Sequence, residues 1–286
     1  VAHLCPGGPA VTDATPAVTE PPAAHVLRRS LAWLGRSVRT RLRFLLSLMA
    51  LTAGTVAEAL SPRAWRRSAR LEFRRVLRMA LGGSLTATVF VATLVGAGMV
   101  YQTIYWLRVG GQEGSLGNLL VPILVRRLAP ILVGIILLGR SGAAMLTELG
   151  HLHADRQLHA LQAQGIDPFQ VLVMPRGIAF ALASYTLGVV FVLVTMVVGF
   201  ALASTLGVVQ TSLWSFLDAL LRATAPADFV VFPVKMLAIG LLIGSTACLT
   251  ALLAQEDEDI GRLISRGFIR GMLAIMLTSG ALSMAI

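Results

Sequence analysis

Two adjacent arginines, Arg126 and Arg127, lie between the apolar runs 116–125 and 128–138. A guanidinium inside a membrane segment costs roughly 2.5–3.5 kcal/mol on insertion scales, so it persists where it faces a cavity, a partner or a charged ligand. A lipid phosphate suits it, because the planar fork of Arg holds two phosphate oxygens at once. The plainer alternative is that both arginines lie near the outer interface or pair with other residues of an assembly. A second polar group follows at Glu148, His151 and His153. Its E-x2-H-x-H spacing is not a zinc-helix pattern. His151 and His153 would point about 200° apart on a helix. The group reads as a polar helix end, and no metal or cofactor is expected.

The chemistry that is missing also bounds the function. A phosphate-cradling P-loop needs a lysine after glycine, and the only lysine, Lys235, follows Val234. Any ATP hydrolysis therefore belongs to another chain. No Gly-x-Ser-x-Gly elbow occurs. His151, His153 and His159 have no credible nucleophile partner, which weighs against a lipid-modifying membrane enzyme. Cys5 and Cys248 form neither a disulfide framework nor a metal spacing.

These residues need elements to hold them, and composition says of what kind. Hydrophobic residues make up 56% of the 286 and charged residues 13%, far too apolar for an ordinary soluble domain. Several uncharged runs approach the twenty or so residues that cross a bilayer. The net charge of +10 is unevenly placed: thirteen of twenty-three arginines fall between Arg28 and Arg78. Arginine before a first span reads as cytoplasmic retention rather than nucleic-acid binding.

Residues 1–25, with five prolines, read as a disordered cytoplasmic tail and not a signal peptide. Residues 26–78 read as a basic interfacial region. Leu31, Leu34, Val38, Leu42 and Leu45 fall in one helical sector, with Arg36, Arg39 and Arg43 opposite and Arg41 at the apolar edge. A first membrane span over 44–60 is the alternative. Ser61 to Arg78 suits an anionic leaflet surface, or serves as a solvated linker. Five spans follow, at about 79–107, 116–146, 177–206, 229–254 and 264–286. Pro122 and Pro130 should bend the second, whose end should protrude. Gly139 and Gly142 should pack closely against a neighbouring helix. Leu158, Leu161 and Gln162 share one side of a short helix that Gly165 ends before an Asp167-Pro168 turn. The outer loops carry only Arg108 and Arg222, which places the N-terminus in the cytoplasm and the C-terminus in the periplasm.

Read in order, GR-SGAA-x3-ELG, QL-x2-L-x3-GIDP and a Pro-Arg pair resemble the MlaE/YrbE permeases, the membrane subunits of Mce-associated lipid ABC transporters. The matching positions are Gly139, Arg140, Gly142, Glu148, Gly150, Gln157, Leu158, Leu161, Gly165, Ile166, Asp167, Pro168, Pro175 and Arg176. The pattern spans about sixty residues, and hydropathy order extends it more weakly to about residue 30. The resemblance implies an all-α membrane protein: an N-terminal amphipathic interfacial helix, five transmembrane helices, and a cytoplasmic coupling helix between the second and third. Glu148, Gln157, Leu158, Leu161, Gly165, Ile166, Asp167 and Pro168 would then face an ABC ATPase, and Arg126 and Arg127 would bind lipid. A second permease copy, homodimeric or related, and an Mce-domain protein would complete the assembly in a bacterial inner membrane. Phospholipid or a related lipid would pass between that membrane and the Mce carrier. Where the family has Arg-Glu, this chain has Arg126-Arg127. That doubles the charge and removes a built-in counter-ion. Arg156 stands where the family often has Glu. An ion-coupled secondary transporter is the other alternative, but no acidic residue falls inside an expected span core.

Overall fold

The computed structural model describes residues 22–61, 65–110, 122–155, 163–165, 167, 169–207, 214–215, 218, 228–254 and 259–284. Among these, six long helices follow one another and no strand occurs. They are α1 (Pro22–Ala59), α2 (Arg67–Gly110), α3 (122–154), α4 (169–205), α5 (Asp228–Leu252) and α6 (Ile260–Met284). The chain is an all-α, multi-pass membrane protein. Five stretches among the described residues are long and apolar enough to cross a bilayer: Leu42–Ala59, Arg67–Thr103, Leu124–Leu152, Phe169–Thr205 and Asp228–Leu252. Membership of that set differs from the expected spans at both ends of the chain. Leu42–Ala59, read as interfacial with a span as its alternative, is included. Helix α6 is not, and its first half carries Arg262, Arg266 and Arg270.

The chain divides into two units, Val1–Leu46 and Ser47–Ile286. In the first, the described part of α1 exposes Arg39, Leu42, Arg43, Leu45 and Leu46. The second holds α2 to α6. Helix α2 begins at Arg67, not at the expected Met79. The arginine-rich segment is thus continuous with the span. Arginine, leucine and glutamate are good helix formers, and buried Ala69, Val76 and Ala80 already carry the core stripe through it.

That stripe continues as Ser84, Thr88, Ala92, Gly96 and Val100, one residue every fourth position. Small side chains let backbones approach, which is how helices associate where lipid removes the hydrophobic drive. A Cβ on Gly96 would lie 3.0 Å from the Thr195 carbonyl oxygen of α4. Nearer the start of α4, a Cβ on Gly240 of α5 would lie 2.3 Å from the Phe180 carbonyl oxygen. Helix α4 therefore packs closely against both α2 and α5. The apolar core runs through α2 to α6, with Val133, Leu137, Phe180, Phe191, Ile239 and Ile275 all fully buried.

Helices α3 and α4 both change winding along their length. Helix α3 opens with a wide π-helical stretch, Pro122–Leu128, and becomes regular at Ala129–Leu137. It widens again at Leu138–Gly142 before Ala143–Ala154. Helix α4 opens in the same way, Phe169–Val173 leading into Met174–Thr205. Pro130 and Pro175 each sit in the first turn of the regular stretch, where a missing N–H is tolerated. Proline here does not stop the helix.

Two hydroxyls tie α3 to α2. Ser141 Oγ donates to the Ala80 carbonyl at 3.1 Å and lies 2.9 Å from Ser84 Oγ. Ser141→Ala should cost about 0.6–1.5 kcal/mol, the net worth of such bonds. Denaturation of the purified protein in mixed micelles measures this.

Candidate functional site

Helix α3 carries Arg126 and Arg127 toward one end and Glu148 toward the other, with Arg140 between them. From Arg126 to Glu148 the helix rises about 33 Å at 1.5 Å per residue, close to the ~30 Å hydrocarbon thickness of a bilayer. Arg126 and Arg127 lie near the start of the described part of α3. Two ionic clusters form, one toward each end of α3.

The first gathers residues from α3, α5 and α6. Arg126 Nη2 donates to Asp228 Oδ2 at 2.9 Å, and Arg126 Nε lies 2.7 Å from Oδ1. The second contact is electrostatic only, since neither atom makes a directed hydrogen bond. The Asp228 side chain is 5% exposed and that of Arg126 41%. Sequence reading put Asp228 in an outer loop. It is instead the first residue of α5 and is buried there. An acidic residue is favoured at a helix N-terminus, and a guanidinium close by offsets its burial. The counter-ion that the Arg127 substitution seemed to remove is therefore supplied by α5.

Lys235, also buried, stands two turns further along α5. Its Nζ donates to the Arg126 carbonyl and to Ser283 Oγ, both at 2.8 Å. Pro130 has no N–H to offer the carbonyl four residues before it. The lysine occupies the acceptor so exposed. Arg127 is exposed and has no ion-pair partner among the described residues. A cavity of about 220 Å³ borders these groups, lined by Arg126, Arg127, Asp228, Phe232, Lys235 and Ser283 among others. Three cations against one carboxylate leave the cluster with a surplus of positive charge. Its chemistry is that of an anion cradle with an apolar edge.

The second cluster joins α2, α3 and α4 at the opposite end. Arg176, 1% exposed, donates from Nε and Nη2 to Glu72 Oε1 at 3.0 and 2.7 Å, and from Nη2 to Glu148 Oε1 at 2.8 Å. Arg75 lies 3.3 Å from Glu148 and 3.7 Å from Glu72. A cavity of about 360 Å³ opens beside them, reaching His151, Asp155 and Leu172. Glu148 is thus held by arginines of α2 and α4. His151 is exposed, and His153 has no described side-chain placement. Among the described residues no group of three or more His, Cys, Asp or Glu could hold a metal ion.

Of the other expected site residues, Gln157, Leu158, Leu161, Ile166 and Pro168 lie outside the described residues. Gly165 has φ +73°, the left-handed conformation that glycine adopts freely. Asp167 Oδ1 accepts the Phe169 N–H at 3.0 Å, which secures the entry to α4. Gly142 is buried, with its Cβ position 3.1 Å from Leu138 and 3.8 Å from Ile243. Gly139 is exposed, and a Cβ there would meet only Phe268 at 3.9 Å. The close backbone approach of α5 to α4 at Gly240, with Gly244 one turn on, was not singled out from the sequence. Its G-x3-G spacing was the available signal. Glu72 and Asp228 were missed as site residues too, although each is the lone acid in its stretch.

Comparison with known proteins gives this geometry a setting. Residues 73–285 match the family described as Permease MlaE. A probable ABC transporter permease protein of Synechocystis is 28% identical over 222 residues, 75% of this chain and 82% of its own length. The chloroplastic protein trigalactosyldiacylglycerol 1 of Arabidopsis thaliana is 27% identical over 70% of this chain and 57% of its own. The intermembrane phospholipid transport system permease protein MlaE of Haemophilus influenzae is 32% identical over 80 residues, 28% of this chain and 31% of its own.

Proposed function

The chain belongs to the MlaE permease family, and on that premise we propose that it is the membrane subunit of a transporter that moves phospholipid or a related lipid, powered by a separate ABC ATPase. The observation that carries this reading is the family match over residues 73–285. Two ionic clusters about a bilayer's thickness apart support it. Relatives are named as ABC transporter permeases, and one as part of a phospholipid transport system. The chain itself has no P-loop, so a partner must supply the nucleotide site.

In this reading the Glu72–Glu148–Arg176 end faces the cytoplasm, as the arginine-rich start of α2 around it suggests. The segment between α3 and α4 meets the ATPase there, through Glu148, Gly165, Asp167 and the neighbouring Gln157, Leu158, Leu161, Ile166 and Pro168. The Arg126–Asp228–Lys235 end faces the periplasm and holds a headgroup before it passes to an Mce-domain carrier. A second permease copy completes the lipid cavity, because one small bundle encloses too little space for two acyl chains.

The test is Arg127→Ala in the reconstituted complex of permease, ATPase and carrier. Arg127 is exposed and unpaired among the described residues, so folding should be unaffected. Lipid transfer should fall about fivefold or more, the scale of one lost charge-assisted contact, while ATP hydrolysis persists. Unchanged transfer and unchanged lipid occupancy would remove Arg127 from the headgroup site. Purification without any associating ATPase would sink the transporter reading altogether.

A further inference from the structure

The 220 Å³ cavity is bordered by an unusual balance of charge. Arg126 is matched by Asp228, with both carboxylate oxygens turned to its guanidinium. That pair contributes no net charge to a ligand beside it. Two cations remain. Lys235 is 3% exposed, and its ammonium bonds to a backbone carbonyl and a hydroxyl, not to a carboxylate. Arg127 is open to the cavity and unpaired among the described residues. A cation held in such a place by neutral acceptors alone is incompletely compensated.

A zwitterionic headgroup brings a phosphate with its own ammonium, which two uncompensated cations would repel. A headgroup of net negative charge brings the phosphate alone. We propose that this cavity selects lipids whose headgroups carry net negative charge, with Arg127 and Lys235 as the selecting residues and Asp228 as the residue that removes Arg126 from the count. The proposal rests on the reading that a headgroup occupies this cavity, and it adds the class of headgroup.

The test uses the full-length permease with its ATPase in nanodiscs of equal phosphatidylglycerol and phosphatidylethanolamine. Lipid retained after mild delipidation is identified by mass spectrometry. The unmodified protein should retain phosphatidylglycerol over phosphatidylethanolamine by about fivefold or more, as expected for an added like-sign or opposite-sign charge in a partly hydrated site. Arg127→Glu cancels both surplus charges at an exposed position that does not endanger folding, and it should abolish the preference. Lys235→Met should halve it or more, with yield and monodispersity checked because the side chain is buried. Millimolar inorganic phosphate should leave the preference intact if the ligand is the lipid. Retention of both lipids without preference overturns the charge selection and leaves the headgroup site standing. Retention unaltered in amount and identity by Arg127→Glu overturns the site as well. Loss of the preference on adding phosphate overturns the proposal in favour of a free-anion site.

Discussion

Arg176→Met destabilises the bundle by about 3 kcal/mol or more, the cost of leaving buried carboxylates without their partner. Arg176 is 1% exposed and hydrogen-bonds to both Glu72 and Glu148, which Arg75 approaches only at 3.7 and 3.3 Å. Its removal leaves the two acids, each mostly covered, facing each other with only the largely exposed Arg75 nearby. In a bundle of this size that corresponds to a fall on the order of 10 °C in the unfolding midpoint. Arg176→Lys keeps the charge but loses the planar fork, so it should recover only part of the loss. The decisive comparison is the triple variant Glu72→Gln, Glu148→Gln, Arg176→Met. If the cluster is held together by charge, the triple variant is more stable than Arg176→Met alone. If the triple is the less stable, the loss comes from the packing of the arginine stem and the ionic account fails.

The second large effect is expected at Gly240. Its Cβ position lies 2.3 Å from the Phe180 carbonyl oxygen, 2.6 Å from Ser184 Cβ and 2.7 Å from Ala181 Cα. Two of these three are backbone atoms of α4, so no rotamer change relieves the clash. The helices must move apart, and in a bilayer contact between backbones is much of what holds them together. Gly240→Ala should cost about 2–3 kcal/mol, the upper range for overpacking. Gly240→Leu should leave no folded protein. Gly98→Ala is the control, because nothing lies within 4 Å of its Cβ position. It should leave stability unchanged or raise it by up to about 1 kcal/mol, the helix-propensity gain of alanine over glycine. Size-exclusion profiles and protease resistance of the three variants decide the matter. A monodisperse, resistant Gly240→Leu protein would mean that α4 and α5 are not in backbone contact.

The helices were legible because apolar runs of bilayer length leave few alternatives. Their boundaries were less so, and the reason is instructive at α2. Arginine density marked residues 61–78 as surface, but composition is blind to a stripe of small residues. Ala69, Val76 and Ala80 carry the helix back to Arg67. The arginine pair was legible as costly charge; its partner was not. Asp228 is 102 residues away, and no periodicity links one helix end to another. Lys235 was visible only as the lone lysine. Its bond to the Arg126 carbonyl depends on Pro130 and on the crossing of α3 with α5, which sequence does not encode locally. Glu148 was read as a residue of the partner-facing segment; its ion pairs with Arg75 and Arg176, from two other helices, were not legible.

The carboxylate–arginine cluster also governs how independently the end of α3 and the start of α4 can move. Glu148 lies near the end of α3 and Arg176 near the start of α4, and both are clamped to the same side of α2 through Glu72 and Arg75. With both helix ends tied to α2, a displacement of one is shared with the other. Spin labels at Asp155 and Phe169 should accordingly report one narrow distance distribution, and Arg176→Met should broaden it. An equally broad distribution in the unaltered protein would mean that the cluster does not hold the two helix ends together.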